Sequence, residues 1–267
     1  IDPGLPRFAR NDKWLRFGLI LIYFMFSYIF NTFFYNPLYN AIIFLDAIIP
    51  GNDIGIAIIL LTIIVRVIML PLSHKSVETQ KKLRDINPQL EKIKKDFANN
   101  KEEQAVKTMN LYKEHGINPF SGILLLFLQL PAFISLYYIF STPIDLASPL
   151  IYSFTILPVA VNPLFLGFIE LTLPNIYMAV LVGITQFFQA KLSIPDLPKK
   201  EKTDKKESSF GDDMAKSMNI QVKYVLPIFI AWISSKLFAA VALFWIVNNL
   251  FGIGHELYVK NKAKEIK

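Results

Sequence analysis

The chain has 267 residues, of which 53% are hydrophobic, with a mean hydropathy of +0.40 and a formal net charge of +7. This composition is too apolar for a soluble domain of this size and predicts an integral membrane protein. The absence of cysteine excludes disulfides and thiolate metal sites in these residues. Because the basic residues are concentrated in loops, they indicate contact with anionic lipid or with ribosomal and nascent-chain partners, and not a DNA-binding fold.

Six apolar segments have lengths near the roughly 20 residues that a helix needs to cross the hydrocarbon core of a bilayer. They are 17–34, 54–72, 120–140, 173–192, 224–237 and 239–258. The first follows four basic residues and has no small-x-small cleavage site, so we expect an uncleaved anchor span. The last two are separated by only a few residues and predict a tight helical hairpin. The predicted fold class is an all-α, polytopic membrane helical bundle with five core spans and this anchor span.

The distribution of the 28 lysines and arginines predicts the orientation of the spans. Basic residues precede the first span, fill the segments 73–119 and 191–223, and end the chain, whereas 35–53 and 141–175 contain none. By the positive-inside rule, both termini and the two basic loops are cytoplasmic, and the other two loops are outside. We therefore expect a multi-pass protein of the bacterial plasma membrane.

The segments between the spans complete the predicted organisation. The segment 35–50 is too short to span and mixes tyrosine, asparagine and aspartate with isoleucine and leucine, which favours an interfacial helix on the outer side. The segment 195–218 has the lysine, glutamate and serine composition of a disordered linker. The predicted parts are 1–34 (cytoplasmic amino terminus and anchor), 35–72 (interfacial helix and first core span), 73–119 (cytoplasmic helical hairpin), 120–192 (second and third core spans with an apolar outer loop), 193–223 (disordered basic cytoplasmic loop) and 224–267 (last two core spans and basic tail).

Helix start and stop signals define the cytoplasmic helical hairpin. Asn87 and Pro88 open a first helix that runs to about residue 97, and a second helix covers 101–115 before Gly116. The two helices are polar nearly all round. Their predicted apolar seam is thin and consists of Leu90, Ile93, Phe97, Met109 and Tyr112.

Arg66 lies inside the second apolar segment and is the most informative residue of the chain. A guanidinium stays charged at any accessible pH, and a charge at membrane depth costs at least a few kcal/mol, so it must face water, protein or a substrate. One alternative is snorkelling, because Arg66 is about 9 Å from the Leu72 end of the segment. Gly55, Thr62 and Ser73 share its helix face, however, which favours a polar wall inside the bundle.

Uncharged polar residues at membrane depth are the other candidates. Gln129, Gln186 and Trp245, together with Asn248 and Asn249, fall within predicted spans, and the last three share one face of the final span. The alternative is ordinary hydrogen bonding between helices, at about 0.6 kcal/mol per bond. No HExxH, P-loop or GxSxG motif occurs, and the three histidines are expected to be exposed polar residues. The sequence thus predicts neither an enzyme nor a metal or cofactor.

Three separated segments carry a family resemblance. They are 51–76 (GNDIGIAIILLTIIVRVIMLPLSHKS), 87–140 with LQLP at 128–131, and 238–251 (FAAVALFWIVNNLF). In these segments the chain resembles the YidC family of membrane protein insertases, which includes the mitochondrial Oxa and chloroplast Alb proteins. Here the family's proline-glycine turn before the last span is replaced by residues 238–241, and its LYW motif reads Leu-Phe-Trp.

The resemblance implies a hydrophilic groove that is open to the cytoplasm and to lipid and contains an intramembrane arginine. That arginine corresponds to Arg66, the family's glutamine to Gln129, and the motif tryptophan to Trp245. The predicted substrate-groove residues are Arg66, Thr62, Gln129, Gln186, Trp245, Asn248 and Asn249.

The predicted function is that of a membrane protein insertase and chaperone, which guides nascent membrane proteins into the bilayer through this groove. The implied partners are nascent membrane proteins and membrane lipids, with the ribosome and the Sec translocon as further candidates. Two alternatives stay open on the residues alone. One is an anion or solute transporter that uses Arg66 as its substrate site, and the other is a passive assembly scaffold.

Overall fold

The computed structural model describes residues 7–118, 121–193, 217 and 219–265, and within these ranges the protein is a helical bundle with one short strand pair. The predicted disordered segment 195–218 therefore lies almost entirely outside the described residues. In chain order the helices are α1 (Arg7–Phe30), α2 (Asn36–Ile48), α3 (Ile54–Ile68), α4 (Leu70–Asp85), α5 (Asn87–Asp96), α6 (Lys101–Glu114), α7 (Ser121–Ser141), α8 (Ile176–Ser193), α9 (Leu226–Ser234) and α10 (Ala239–Glu265). Two π-helical turns, Asn31–Tyr35 and Gln221–Val225, lead into α2 and α9.

Several of the described helices have the length and composition of membrane spans. The runs 17–48, 176–193 and 239–261 are each long and apolar enough to cross a bilayer, and α3 with α4 forms a fourth span if the bent pair counts as one. α7 has 21 residues, which is also sufficient. The helical run 221–234 is shorter, like the span that the sequence predicts there. The all-α, polytopic fold class is confirmed.

The first core span differs from its prediction because it bends. α3 begins after Asp53, whose carboxylate accepts hydrogen bonds from the backbone N–H groups of Gly55 at 2.9 Å and Ile56 at 3.2 Å. α3 and α4 then meet at an angle of 64° near Met69. Pro71 falls in the first turn of α4, where a missing N–H leaves no intrahelical bond unmade. The helix thus continues to Asp85 in a new direction and does not end at residue 72.

The segment 35–50 is helical, and it does not begin as a separate helix. It continues α1 through the π-helical turn, and its apolar face packs against α3 and α7. Its polar residue Asn40 is buried and holds the outer loop: Asn40 Nδ2 donates to the backbone oxygen of Leu150 at 2.9 Å, and Asn40 Oδ1 accepts from the backbone N–H of Tyr152 at 2.7 Å. Other helices therefore cover the apolar side of this segment, and its place at the outer membrane interface stays a prediction.

The loop between α7 and α8 contains a small antiparallel ladder that the sequence did not predict. Strand β1 (Leu164–Phe165) pairs with β2 (Ile169–Glu170) across a turn in which Leu166 and Gly167 have positive φ values of 53° and 80°. Any side chain at position 55 would collide with the ring of Phe165. Gly55 therefore allows this ladder to lie directly on the start of α3.

The predicted hairpin is present as α5 and α6. Its fourteen-residue second helix is capped by Asn100, whose Oδ1 accepts from the backbone N–H of Glu103 at 3.1 Å. The predicted seam is wrong at Met109, which is exposed. Leu111 takes its place in a cluster of four buried residues, Ile86, Leu90, Leu111 and Ile117, which is separate from the main core.

Candidate functional site

The side chain of Arg66 is buried between α3 and α10. Only 6% of its surface is exposed. Its Nη2 donates to the backbone oxygen of Asn248 at 3.1 Å, and its Nε donates to the side-chain Oδ1 of the same residue. Asn248 is itself buried. Arg66 therefore faces protein and does not snorkel towards the end of its helix.

The guanidinium keeps hydrogen-bonding capacity beyond these two contacts. An arginine has five N–H donors, and Nη1 of Arg66 makes no hydrogen bond to any residue in the described ranges. It also forms no ion pair with a carboxylate among those residues. The free-energy cost of removing a cation from water is offset less by a neutral partner than by a hydrogen-bonded carboxylate. The guanidinium therefore has donors that no described residue uses.

The helix face that carries Arg66 is buried as far as the bend. Thr62, one turn earlier, is buried, and its Oγ1 donates to the backbone oxygen of Ile58 at 2.6 Å. Gly55 also lies on this face and is buried. Ser73 is buried as well, but it follows the bend, and its Oγ donates to the backbone oxygen of Met69 at 2.9 Å. The predicted shared face thus ends at the bend between α3 and α4.

The polar residues of α10 do not all face Arg66, contrary to the expectation from their spacing. Trp245 Nε1 donates to Gln186 Oε1 on α8 at 3.2 Å, and Asn249 Nδ2 donates to Thr185 Oγ1 on the same helix at 3.1 Å. Residues 245 and 249 are one turn apart, whereas 248 is rotated by about 100° from its neighbour 249. The helix therefore presents Asn248 to α3 and the other two side chains to α8.

Gln129 is half-exposed on α7 and is not brought into contact with Arg66. Its amide makes no hydrogen bond to another residue in the described part of the chain. One turn later on α7, Phe133 packs edge-to-face against Trp245, with the ring centroids 5.0 Å apart. Gln129, Gln186 and Trp245 are thus all half-exposed, and Trp245 contacts both α8 and α7, while Asn249 is fully buried.

A pair of histidines extends the contact between the bent span and α10. His74 Nδ1 on α4 lies 3.4 Å from His255 Nε2 on α10, two turns after Asn248. Sequence reasoning missed this pair because it did not predict the bend that turns α4 towards α10. The available signal was Pro71, which marks the start of a new helix within an apolar run.

Two cavities lie elsewhere. One, of about 410 Å³, is near the outer loop, and the other, of about 310 Å³, is between α4 and the end of the hairpin. The first cavity is lined by Ile54, Phe140, Ser141, Thr142, Pro143, Ile144, Val161, Pro163, Thr172 and Phe238. The second cavity is lined by Leu72, Lys75, Glu78, Thr79, Lys82, Gly116 and Asn118. Neither includes Arg66, so a polar cavity at that residue stays a prediction.

Comparisons with known proteins match most of the chain. The model of the family described as "60Kd inner membrane protein" matches residues 44–266. A Clostridium tetani protein named "Membrane protein insertase YidC" is 33% identical over 219 residues, which cover 81% of this chain and 87% of the relative. Proteins of the same name are 30% identical in Fusobacterium nucleatum (219 residues, 79% of this chain and 88% of the relative) and in Wolinella succinogenes (241 residues, 90% and 39%).

Proposed function

Because this chain belongs to the 60Kd inner membrane protein family, we propose that it is a membrane protein insertase in which Arg66 receives a polar segment of the client. The clients are nascent membrane proteins, which leave the insertase for the surrounding lipid. The ribosome and the Sec translocon are the candidate partners that would deliver them. We place both termini and the α5–α6 hairpin in the cytoplasm, because the basic residues of the chain concentrate there.

The buried, unpaired charge of Arg66 carries this proposal. The only described groups that its guanidinium contacts are the two oxygens of Asn248, and both are neutral. A structural arginine at membrane depth would be stabilised best by a carboxylate, because the desolvation of the cation is then offset. An arginine that must repeatedly bind and release client segments is better served by a weaker neutral partner.

The path of the client follows from the same contact. We propose that α10 moves away from α3, so that a polar client segment replaces Asn248 as the partner of Arg66 and lies in a hydrated groove. The hydrophobic segment of the client then partitions into lipid at roughly 0.8 kcal/mol per buried CH₂, which drives release. No nucleotide or cofactor is needed for this sequence of steps.

The wall of the open groove is proposed to consist of uncharged polar side chains. Thr62 lies one helical turn from Arg66. Gln129 on α7, Gln186 on α8 and Trp245 on α10 are half-exposed, and Trp245 contacts both α7 and α8. Amide and indole groups can hydrogen-bond water or a client backbone without adding fixed charge, as sequence-tolerant passage requires. Asn249 is bound to Thr185 in this conformation, and we propose that it reaches the groove only after α10 has moved.

An insertion assay on three variants tests the role of Arg66. Purified protein is reconstituted into liposomes, and insertion of a client with a short acidic tail is followed by protease protection. Arg66→Ala should reduce insertion about tenfold or more, because a hydrogen bond to a charged group contributes about 1.5 to 3 kcal/mol. Arg66→Lys should retain part of the activity, since it keeps the charge.

Lys236→Ala is the matched control. It removes a single positive charge at an exposed position between α9 and α10 and should leave insertion unchanged. Equal activity of the Arg66→Ala, Arg66→Lys and unmodified proteins would contradict the proposal and favour a passive scaffold. Loss of activity in Lys236→Ala as well would show that total charge, and not Arg66, is what the assay detects.

A further inference from the structure

The two histidines that join α4 to α10 are arranged as a pair of ligands. Their facing nitrogens, His74 Nδ1 and His255 Nε2, are 3.4 Å apart, and the ring planes are tilted by 45°. Two nitrogens bound to one tetrahedral zinc ion at 2.0 to 2.1 Å are separated by about 3.3 Å. The spacing of the pair therefore already matches that of two ligands on one ion.

A carboxylate fixes the protonation of the first ring. His74 Nε2 lies 3.3 Å from Glu78 Oε1, one turn further along α4. The nearby carboxylate favours the tautomer of a neutral His74 that carries its proton on Nε2, and that tautomer leaves the lone pair of Nδ1 on the side of His255. A carboxylate behind a histidine is the usual partner of a metal-ligating imidazole, because it orients the ring and raises its basicity.

We propose that His74 and His255 form a binding site for a zinc-class divalent cation that bridges α4 and α10. The ion replaces the proton shared by the two facing nitrogens, and His255 then carries its own proton on Nδ1. No group of three or more potential ligands occurs in the described parts of the chain, so water completes the coordination and binding is weaker than at a structural zinc site. Imidazole nitrogen selects zinc over magnesium, which prefers oxygen ligands.

The surroundings permit an ion to enter. The side chain of His74 is 41% exposed, so the site is reached from solvent. Charges of both signs act on His255: the carboxylate of Glu256, which pairs with Lys260 at 3.5 Å, attracts a cation, and the guanidinium of Arg66 repels one. His255 and Asn248 are seven residues apart and share one face of α10. A bound ion would therefore fasten α4 to the same face of α10 that Arg66 contacts from α3.

Zinc binding by the purified full chain tests this site without any insertion assay, so its outcome is independent of the proposed function. The chain has three histidines, and an affinity tag containing histidine must be removed first. Titration calorimetry with Zn²⁺ should give one ion per chain, and Mg²⁺ should give no binding. His74→Gln and His255→Gln should each abolish the signal, and Glu78→Gln should weaken it about tenfold.

His115→Gln is the matched control, because it removes the same side chain from α6, where His115 Nδ1 contacts only the backbone oxygen of Leu111 at 3.0 Å. It should bind zinc like the unmodified protein. Failure of the unmodified protein to bind zinc, or equal binding by His74→Gln and His255→Gln, would overturn the proposal.

A second measurement on the unmodified protein avoids any effect of substitution on folding. Modification of histidines by diethyl pyrocarbonate, followed by mass spectrometry, should slow at His74 and His255 when Zn²⁺ is added and stay the same at His115. Equal modification rates with and without Zn²⁺ at all three positions would contradict the site.

Discussion

α10 packs most extensively against two of its neighbours, α8 and α3, and these two contacts are built from different chemistry. On the α8 side, close to Asn248 in the sequence, Asn249 binds Thr185 and Trp245 binds Gln186 through neutral groups. Charged groups join α8 and α10 further along, where Glu256 accepts from Ser193 at 3.1 Å and Lys260 donates to the backbone oxygen of Leu192 at 2.7 Å. On the α3 side, the main polar contact places the cation of Arg66 against neutral oxygens of one residue. Each side also has a buried threonine whose hydroxyl donates to the backbone of its own helix, Thr62 on α3 and Thr185 on α8.

In the proposed mechanism, the contact of α10 with α8 stays in place, and the contact of α10 with α3 is exchanged for a contact with the client. Neutral pairs on the α8 side satisfy each other, and little is gained by replacing either partner. The Arg66 guanidinium retains unused donors and gains most from a new acidic or polar partner. We therefore expect that α8, α9 and α10 stay together while α3 and α10 separate.

The largest expected effect is at the contact between α8 and α9, two of the three helices that we expect to stay together. A Cβ added at Gly183 on α8 would lie 2.8 Å from Ala231 Cβ and 3.3 Å from the backbone oxygen of Pro227 on α9, so Gly183→Leu forces the two helices apart. We expect a loss of about 3 kcal/mol in stability, measured as a lower thermal midpoint in detergent. Gly254→Leu is the control, because nothing lies within 4 Å of that position. Similar midpoints for the two variants would mean that α8 and α9 are not tightly packed against each other.

The next effect compares neighbouring residues on the two sides of α10. Asn248→Ala removes the Oδ1 atom that accepts a hydrogen bond from Arg66 Nε, together with the packing of the side chain against the buried guanidinium. We expect a loss of about 2 kcal/mol in stability. Asn249→Ala removes one neutral bond to Thr185 and should cost about 0.6 kcal/mol. The same thermal measurement applies to both. A larger loss for Asn249→Ala would reverse the assignment of the charged and neutral sides.

The smallest effect concerns the indole of Trp245. Trp245→Phe keeps an aromatic ring against Phe133 but removes the hydrogen bond to Gln186. We expect a loss of about 0.6 kcal/mol in stability. The control is Trp232→Phe on α9, where the tryptophan is exposed and should contribute less. A loss of several kcal/mol at Trp245 would indicate that the indole does more than bind α8.

Sequence reasoning identified the elements whose signals are local. The two hairpin helices follow from Pro88, Asn100 and Gly116, and the later spans follow from their apolar length. The bend near Met69 was missed, although Pro71 marked it, because an uninterrupted apolar run suggested one straight span. The continuity of α1 with α2 was missed because the mixed composition of residues 35–50 predicted a helix of its own, whereas the backbone continues through a π-helical turn.

The candidate site was only partly predictable for a geometric reason. Burial of Arg66 follows from the cost of a charge in lipid, whichever helix faces it. Which helix each residue of α10 faces depends on rotations of about 100° per residue and on the arrangement of neighbours, and neither is encoded locally. The sequence therefore grouped Trp245, Asn248 and Asn249 on one face, and the structure divides them between α8 and α3.

Disulfide crosslinking to a client tests most directly whether the α3 side of α10, and not the α8 side, receives the nascent chain. Thr62→Cys and Thr185→Cys are matched changes of buried threonines, in a chain without native cysteine. A ribosome-bound nascent membrane protein with a single cysteine beside its acidic tail is presented to each variant under mild oxidation. The account predicts an adduct at position 62 and little or none at position 185. Equal adducts at both positions, or an adduct only at 185, would contradict it.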